Sequence, residues 1–143
     1  MTIRESAEMY LETILVLSEK GAVRAIDIAR AMNFSRPSVS VTVHNLEREH
    51  YLSISEDSTI KLEPKGLEIA ERIYERHKVL SQLLESIGVS KETAAEDACK
   101  IEHDISEETF NCIKKAIKKS GLTAKAAPKA SAKAKTTSTK KSK

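Results

Sequence analysis

A chain of 143 residues with 40% hydrophobic, 31% charged and 3% aromatic residues has room for one compact domain or two small ones. That composition excludes collagen-like, disulfide-stapled and wholly disordered proteins. The formal charge of +3 is the sum of two unlike parts: seven lysines and no acid lie in residues 121–143, so the other 17 bases and all 21 acids give residues 1–120 a net charge of −4. No run reaches the ~18–20 apolar residues needed to cross a bilayer. The first twenty residues carry charges at Arg4, Glu5, Glu8, Glu12, Glu19 and Lys20, so a cytoplasmic protein with no membrane partner is expected. Cys99 and Cys112 are expected as thiols in that compartment.

Taken in chain order, Ile3, Ala7, Tyr10, Leu11, Ile14, Leu15 and Leu17 recur at three- and four-residue intervals. This spacing predicts an amphipathic helix over Thr2 to Lys20, ended by Gly21. A short helix follows over Ala25 to Met32, with Ile26, Ala29 and Met32 on one face and Asn33 at its carboxyl end. Ser35 is placed to cap a third helix with Pro37 in its first turn and Val39, Val43 and Leu46 as its buried stripe, running to about His50. Leu52–Ile54 and Thr59–Leu62 alternate apolar with polar residues around Glu56, Asp57 and Ser58, as in a hairpin. Helix, helix, turn, helix and hairpin make a winged helix-turn-helix over residues 1–63.

Glu63-Pro64-Lys65-Gly66 marks the next boundary. Leu67, Ile69, Ile73, Leu80, Leu83, Leu84 and Ile87 then predict a long helix that stops at Gly88. Ser90 caps another helix to about His103, and Ser106 opens a last one to about Ser120. Residues 64–120 thus read as an all-helical domain. Beyond Leu122 only Ala, Lys, Ser, Thr and one Pro remain, too little apolar surface to offset the entropy of folding, so 121–143 is expected to be a disordered basic tail.

The chain has no GxGxxG, P-loop, GxSxG or paired CxxC motif, and no spacing suggests a general base or nucleophile. An enzyme with a small-molecule substrate is not expected. A helix-turn-helix presents the start of its second helix to major-groove base edges. The candidates there are Ser35, Arg36, Pro37, Ser38, Ser40 and Thr42, together with His44. Arg36 has the fork geometry for guanine, Pro37 and Ser38 could meet a thymine methyl, and Ser40 or Thr42 a phosphate. Residues 1–61, however, hold seven bases and nine acids, an unfavourable balance for a phosphate-binding surface. A bound cation would offset it. Cys99, Glu102 and His103 stand at i, i+3 and i+4 and so share one helix face. Met9 and Glu12, again at i and i+3, and His77 are further potential donors.

In order and spacing these parts resemble the diphtheria-toxin-repressor (DtxR/MntR) family of metal-dependent transcriptional regulators, in its short two-domain form. The resemblance runs from about residue 4 to residue 118. It is carried by Ser6–Ile14, Ser35-Arg-Pro-Ser-Val-Ser40, Leu62-Glu-Pro-Lys-Gly66, Arg76-His77 and Asp97-Ala-Cys-Lys-Ile-Glu-His103. It implies a homodimer that binds a palindromic operator when a divalent metal holds its two domains in a DNA-compatible orientation.

The primary ligands implied are Met9, Cys99, Glu102 and His103. Met and Cys at the first two positions mark the iron-sensing branch, where the manganese branch has Asp and Glu. Thioether and thiolate suit iron(II) better than hard manganese(II), although cobalt, nickel and zinc are expected to bind in vitro. Fe2+ is therefore the expected metal, with Mn2+ as the alternative. The ancillary site of the iron branch is interrupted, since Ser81 and Ala95 stand at two of its three ligand positions. Glu12, His77 and Glu102 match the second site of the manganese branch instead. An alternative from another class is an architectural DNA binder driven by the tail, whose Thr123–Lys129 segment looks like those of linker histones.

Overall fold

The computed structural model describes residues 3–120, with side chains from Glu5 onward. The order is α1 (Ile3–Ser18), α2 (Ala25–Met32), α3 (Arg36–Arg48), β1 (Leu52–Ile54), β2 (Ile60–Leu62), α4 (Pro64–Ser86), α5 (Lys91–Ile101) and α6 (Glu107–Ser120). The architecture is mainly helical, with a winged helix-turn-helix first and helices after it. The disorder expected for residues 121–143 falls outside the described residues. Among the described residues, no helix is long and apolar enough to cross a membrane.

Contacts divide the chain into two units between Tyr74 and Glu75, inside α4, whereas the sequence pattern put the boundary at Pro64, where that helix starts. The reason is local packing. Ala70 is fully buried in the core of the first unit and Ile69 packs against it, so the opening turns of α4 belong with the winged helix.

In the first unit, Tyr10, Leu11 and Ile14 of α1 meet Ile28 and Ala29 of α2, Val39, Val43 and Leu46 of α3, and Leu52 and Ile60 of the hairpin. Each helix boundary has a chemical cause. Gly21 takes φ +150°, beyond the reach of most side chains. The Asp27 carboxylate accepts the Arg24 N–H at 2.9 Å, covering one donor that the start of α2 leaves open. Asn33 ends that helix in the left-handed region at φ 59° and ψ 44°. The Ser35 hydroxyl accepts the Ser38 N–H at 3.3 Å to begin α3, with Pro37 in the first turn.

The hairpin is antiparallel with Leu52 opposite Leu62 and Ile54 opposite Ile60. Val23, just before α2, adds a bridge to Ile60, whose N–H donates to the Val23 carbonyl at 2.8 Å. Thr59 belongs to the turn and not, as its side chain suggested, to the second strand. Its N–H donates to Asp57 Oδ1 at 3.1 Å and its carbonyl accepts the Ser55 N–H at 2.9 Å. The Ser55 hydroxyl, then Thr59, hold the Asp57 carboxyl down at a pKa of about 2, so this turn keeps its acceptor ionised throughout the physiological range.

The base of the wing is tied to α4 by close approach. The Tyr51 carbonyl accepts the Glu63 N–H at 3.0 Å. Lys65 Nζ donates to the Glu49 carbonyl at 3.0 Å and lies 4.3 Å from the centre of the Tyr51 ring. Gly66 is fully packed there, and a Cβ at this position would collide with the Tyr51 carbonyl oxygen. Gly66→Ala is accordingly expected to cost about 2 kcal/mol of stability in urea unfolding of the full chain; an unchanged midpoint would show that the first turn of α4 can shift freely.

In the second unit, Leu80 of α4, Ala94 and Ala98 of α5, and Phe110 and Ile117 of α6 are buried. The Ser90 hydroxyl accepts the Thr93 N–H at 3.3 Å and the Ser106 hydroxyl accepts the Thr109 N–H at 3.0 Å, capping α5 and α6. The sequence pattern carried α5 to His103, but the helix ends at Ile101. Glu102 and His103 therefore stand at the exit from the helix.

Candidate metal centre and DNA-reading helix

Cys99 sits in the last turn of α5. Glu102, whose N–H still donates to the Ala98 carbonyl at 2.9 Å, caps the helix, and His103 follows. A thiol sulfur, a carboxylate oxygen and an imidazole nitrogen from these three residues all lie within 4.8 Å of one another. Cys99 is half-buried, while Glu102 is wholly buried and the His103 side chain nearly so. Glu102 Oε1 lies 3.0 Å from His77 Nδ1, and Oε2 lies 3.3 Å from His103 Nε2. A carboxylate removed from water needs compensating donors or charges, and an imidazole faces each oxygen of this one.

Arg76 completes the arrangement and had no role in the sequence reading, where it served only as a neighbour of His77. Its guanidinium is buried. Nη1 donates to the carbonyls of Glu102 and Ile105, each at 3.0 Å, and Nη2 to Glu107 Oε1 at 2.7 Å. The group also lies 5.3 Å from the centre of the Phe110 ring. Carbonyls at and beyond a helix end lack partners within the helix; Arg76 supplies them and so fixes the backbone that carries Glu102 and His103. No motif flags such a residue, because its partners, two of them main-chain carbonyls, lie 26 to 31 positions away in sequence.

The donor set suits a divalent transition metal. Thiolate, carboxylate and imidazole are ligand types that such ions take, and the three converge without rearrangement of α5. Cys99, Glu102, His103 and His77 are thus brought together within the second unit. Met9 and Glu12 lie on α1 in the first unit, and both are half-buried. Close to Met9, Glu8 is buried and pairs with Arg72 Nη2 at 3.3 Å, a further contact between α1 and the start of α4.

In the helix-turn-helix, α3 turns Val39, Val43 and Leu46 inward. Ser35, Arg36, Pro37 and Ser38 are exposed, as the sequence pattern expected, while Ser40 and Thr42 are half-buried on the flanks. Ser35 and Ser38 also hydrogen-bond to each other through their hydroxyls at 3.0 Å, so Ser35 acts first as the cap. His44 Nδ1 donates to the Ser40 carbonyl at 2.8 Å, and Asn45 Oδ1 accepts from Arg48 Nη1 at 2.9 Å. Val41, absent from the sequence candidates, is 62% exposed.

Fold and site together define a winged helix-turn-helix protein whose helical unit gathers thiol, carboxylate and imidazole groups that could hold a divalent cation. The model described as "Iron dependent repressor, N-terminal DNA binding domain" matches residues 2–60, and "Iron dependent repressor, metal binding and dimerisation domain" matches residues 63–122. The HTH-type transcriptional regulator MntR of Geobacillus kaustophilus (strain HTA426) is 40% identical over 102 residues, 71% of this chain and 72% of that one. MntR of Bacillus pumilus (strain SAFR-032) is 38% identical over 109 residues, 76% of each. Among solved structures, the manganese regulator SloR superposes with a TM-score of 0.69 at 26% identity, covering 78% of this chain and 53% of that one. T. acidophilum IdeR gives 0.67 at 28% identity, covering 85% and 55%. The chain thus spans about half the length of these solved relatives. It belongs to the DtxR/MntR family of metal-dependent transcriptional regulators, which are DNA-binding proteins and not enzymes.

Arg76→Met is expected to lower the stability of the chain by about 2–4 kcal/mol, because two carbonyls and the Glu107 carboxylate lose a charged donor. Arg76→Lys should recover part of this. Urea unfolding of both variants checks it, and wild-type stability in Arg76→Met would show that water satisfies those carbonyls equally well.

Proposed function

We propose that this chain is a metal-activated repressor that binds a palindromic operator as a homodimer, with iron(II) as its activating metal. Residues 1–63 read DNA, 64–120 bind metal and dimerise, and the basic residues 121–143 add affinity. The observation that carries this reading is the convergence of Cys99, Glu102 and His103 in a chain that also bears a helix-turn-helix. The family resemblance adds Met9 as the fourth primary ligand and assigns Glu12 and His77 to a second site shared with Glu102. Bound there, a divalent ion would supply positive charge to a net-negative body and bias the protein toward its DNA-competent state. The chain's own residues do the rest: Arg76 holds the ligand-bearing backbone, His77 and His103 flank the buried carboxylate, and α3 meets the bases.

What supports iron is the Cys99 thiolate, a softer ligand than manganese(II) prefers. A second reading, manganese(II), is favoured by the relatives, among which SloR is a manganese regulator and the MntR proteins share about two residues in five with this chain. Fluorescence anisotropy with duplex DNA recovered by selection from a randomised pool separates the two. Iron(II) under anaerobic conditions is expected to raise DNA affinity about 100-fold over chelator, a coupling of about 2.7 kcal/mol. The double substitution Met9→Asp with Cys99→Glu should move the preference toward manganese(II). Affinity indifferent to iron(II), manganese(II) and chelator would overturn metal activation, and an unshifted preference would overturn the ligand assignment.

The tail has its own test. Seven lysines without an acid are expected to release counterions from DNA without reading sequence. Deleting residues 121–143 should leave the preferred site unchanged and make log K less steep against log[salt] by about two units or more. Loss of nearly all binding on deletion would favour the architectural alternative.

A further inference from the structure

Val41 stands out on α3 for what its surroundings fail to explain. Val39, Val43 and Leu46 are buried at 0%, 2% and 5% exposure, yet Val41, between the first two, is 62% exposed. With 3.6 residues per turn it lies roughly 170° around the helix from the centre of that stripe. The outward face it occupies is shared with Pro37, His44 and Arg48, all exposed. A β-branched side chain at an exposed helix position contributes nothing to the core and is a poorer helix former than Ala, Lys or Gln. Folding therefore gives no reason for valine here.

Building on the proposed DNA-reading role of α3, we propose that Val41 is a specificity-determining residue that contacts the C5-methyl group of a thymine in the major groove. The chemistry is selective. Thymine is the base that presents a methyl group on the major-groove edge, and apolar side chains recognise it by excluding water from both surfaces. Valine has no donor or acceptor, so a guanine, cytosine or adenine edge in the same place would lose hydration with no hydrogen bond in return. Neighbouring polar groups do not compete for this role. The Ser35 hydroxyl is committed to capping α3, and His44 Nδ1 is held by the Ser40 carbonyl.

The test removes the methyl group alone. Metal-loaded full-length protein selects a preferred duplex from a randomised pool, and each thymine of that duplex is then replaced in turn by deoxyuridine. At one symmetry-related thymine pair, wild-type affinity should fall about threefold to fivefold per methyl. Val41→Ala should bind the thymine and deoxyuridine duplexes equally there, and Val41→Thr, which keeps one methyl, should fall between. Because the site is exposed and alanine is the better helix former, Val41→Ala should melt at or slightly above the wild type and Val41→Thr close to it by circular dichroism, so neither loses DNA affinity through unfolding. If no thymine proves sensitive, or if Val41→Ala still discriminates, the proposal is overturned. Recovery of no preferred duplex at all is a separate result that overturns the DNA-binding reading itself.

Discussion

Everything in the second unit is arranged around a carboxylate taken out of water. Glu102 is wholly buried, in a unit whose buried apolar side chains, among the described residues, are Leu80, Ala94, Ala98, Phe110 and Ile117. A lone buried carboxylate would cost several kcal/mol, and the groups that face it come both from the next residue and from α4, some 25 positions earlier in the chain. His77 on α4 and His103 beyond α5 approach its two oxygens, while Arg76 takes the carbonyl of the same residue. The unit therefore holds its ligand-bearing turn by polar contacts more than by packing. A site built this way is preorganised, since the backbone that carries Glu102 and His103 is anchored independently of any ion.

The first unit solves the opposite problem with the opposite means. Its core is continuous and apolar, from Tyr10 on α1 to Ala70 on α4, and apart from the Glu8–Arg72 pair its main polar contacts lie at element ends. Asp27 closes the start of α2, Asn33 its end, Ser35 the start of α3, and Asp57 the wing turn. These groups fix where α2 and α3 begin and where α2 ends, and one face of α3 is exposed.

Much of this was legible in the residues alone. Periodicity located α1 to α4, whose apolar residues recur at helical spacing, while α5 and α6 were legible from Ser90 and Ser106, caps like Ser35 whose hydroxyls have short-range partners. Cys99, Glu102 and His103 were legible because i, i+3 and i+4 share a face. The failures share a cause. Thr59 has strand propensity, but its main chain is captured by Asp57 and Ser55. The pattern runs the helix of Cys99 to about His103, two residues past its end, because nothing local marks Ile101 as the last turn.

By itself the sequence determined the element order, the winged helix-turn-helix, the thiolate, carboxylate and imidazole triplet, and the family, since all of these rest on spacings of a few residues. Only the tertiary structure decided that Glu102 is buried between two histidines, that Arg76 holds its backbone, that Gly66 is forced by the Tyr51 carbonyl, and that Val41 points to solvent. Burial and main-chain partnership across tens of residues depend on how helices pack, and that packing leaves no periodic trace in any one segment.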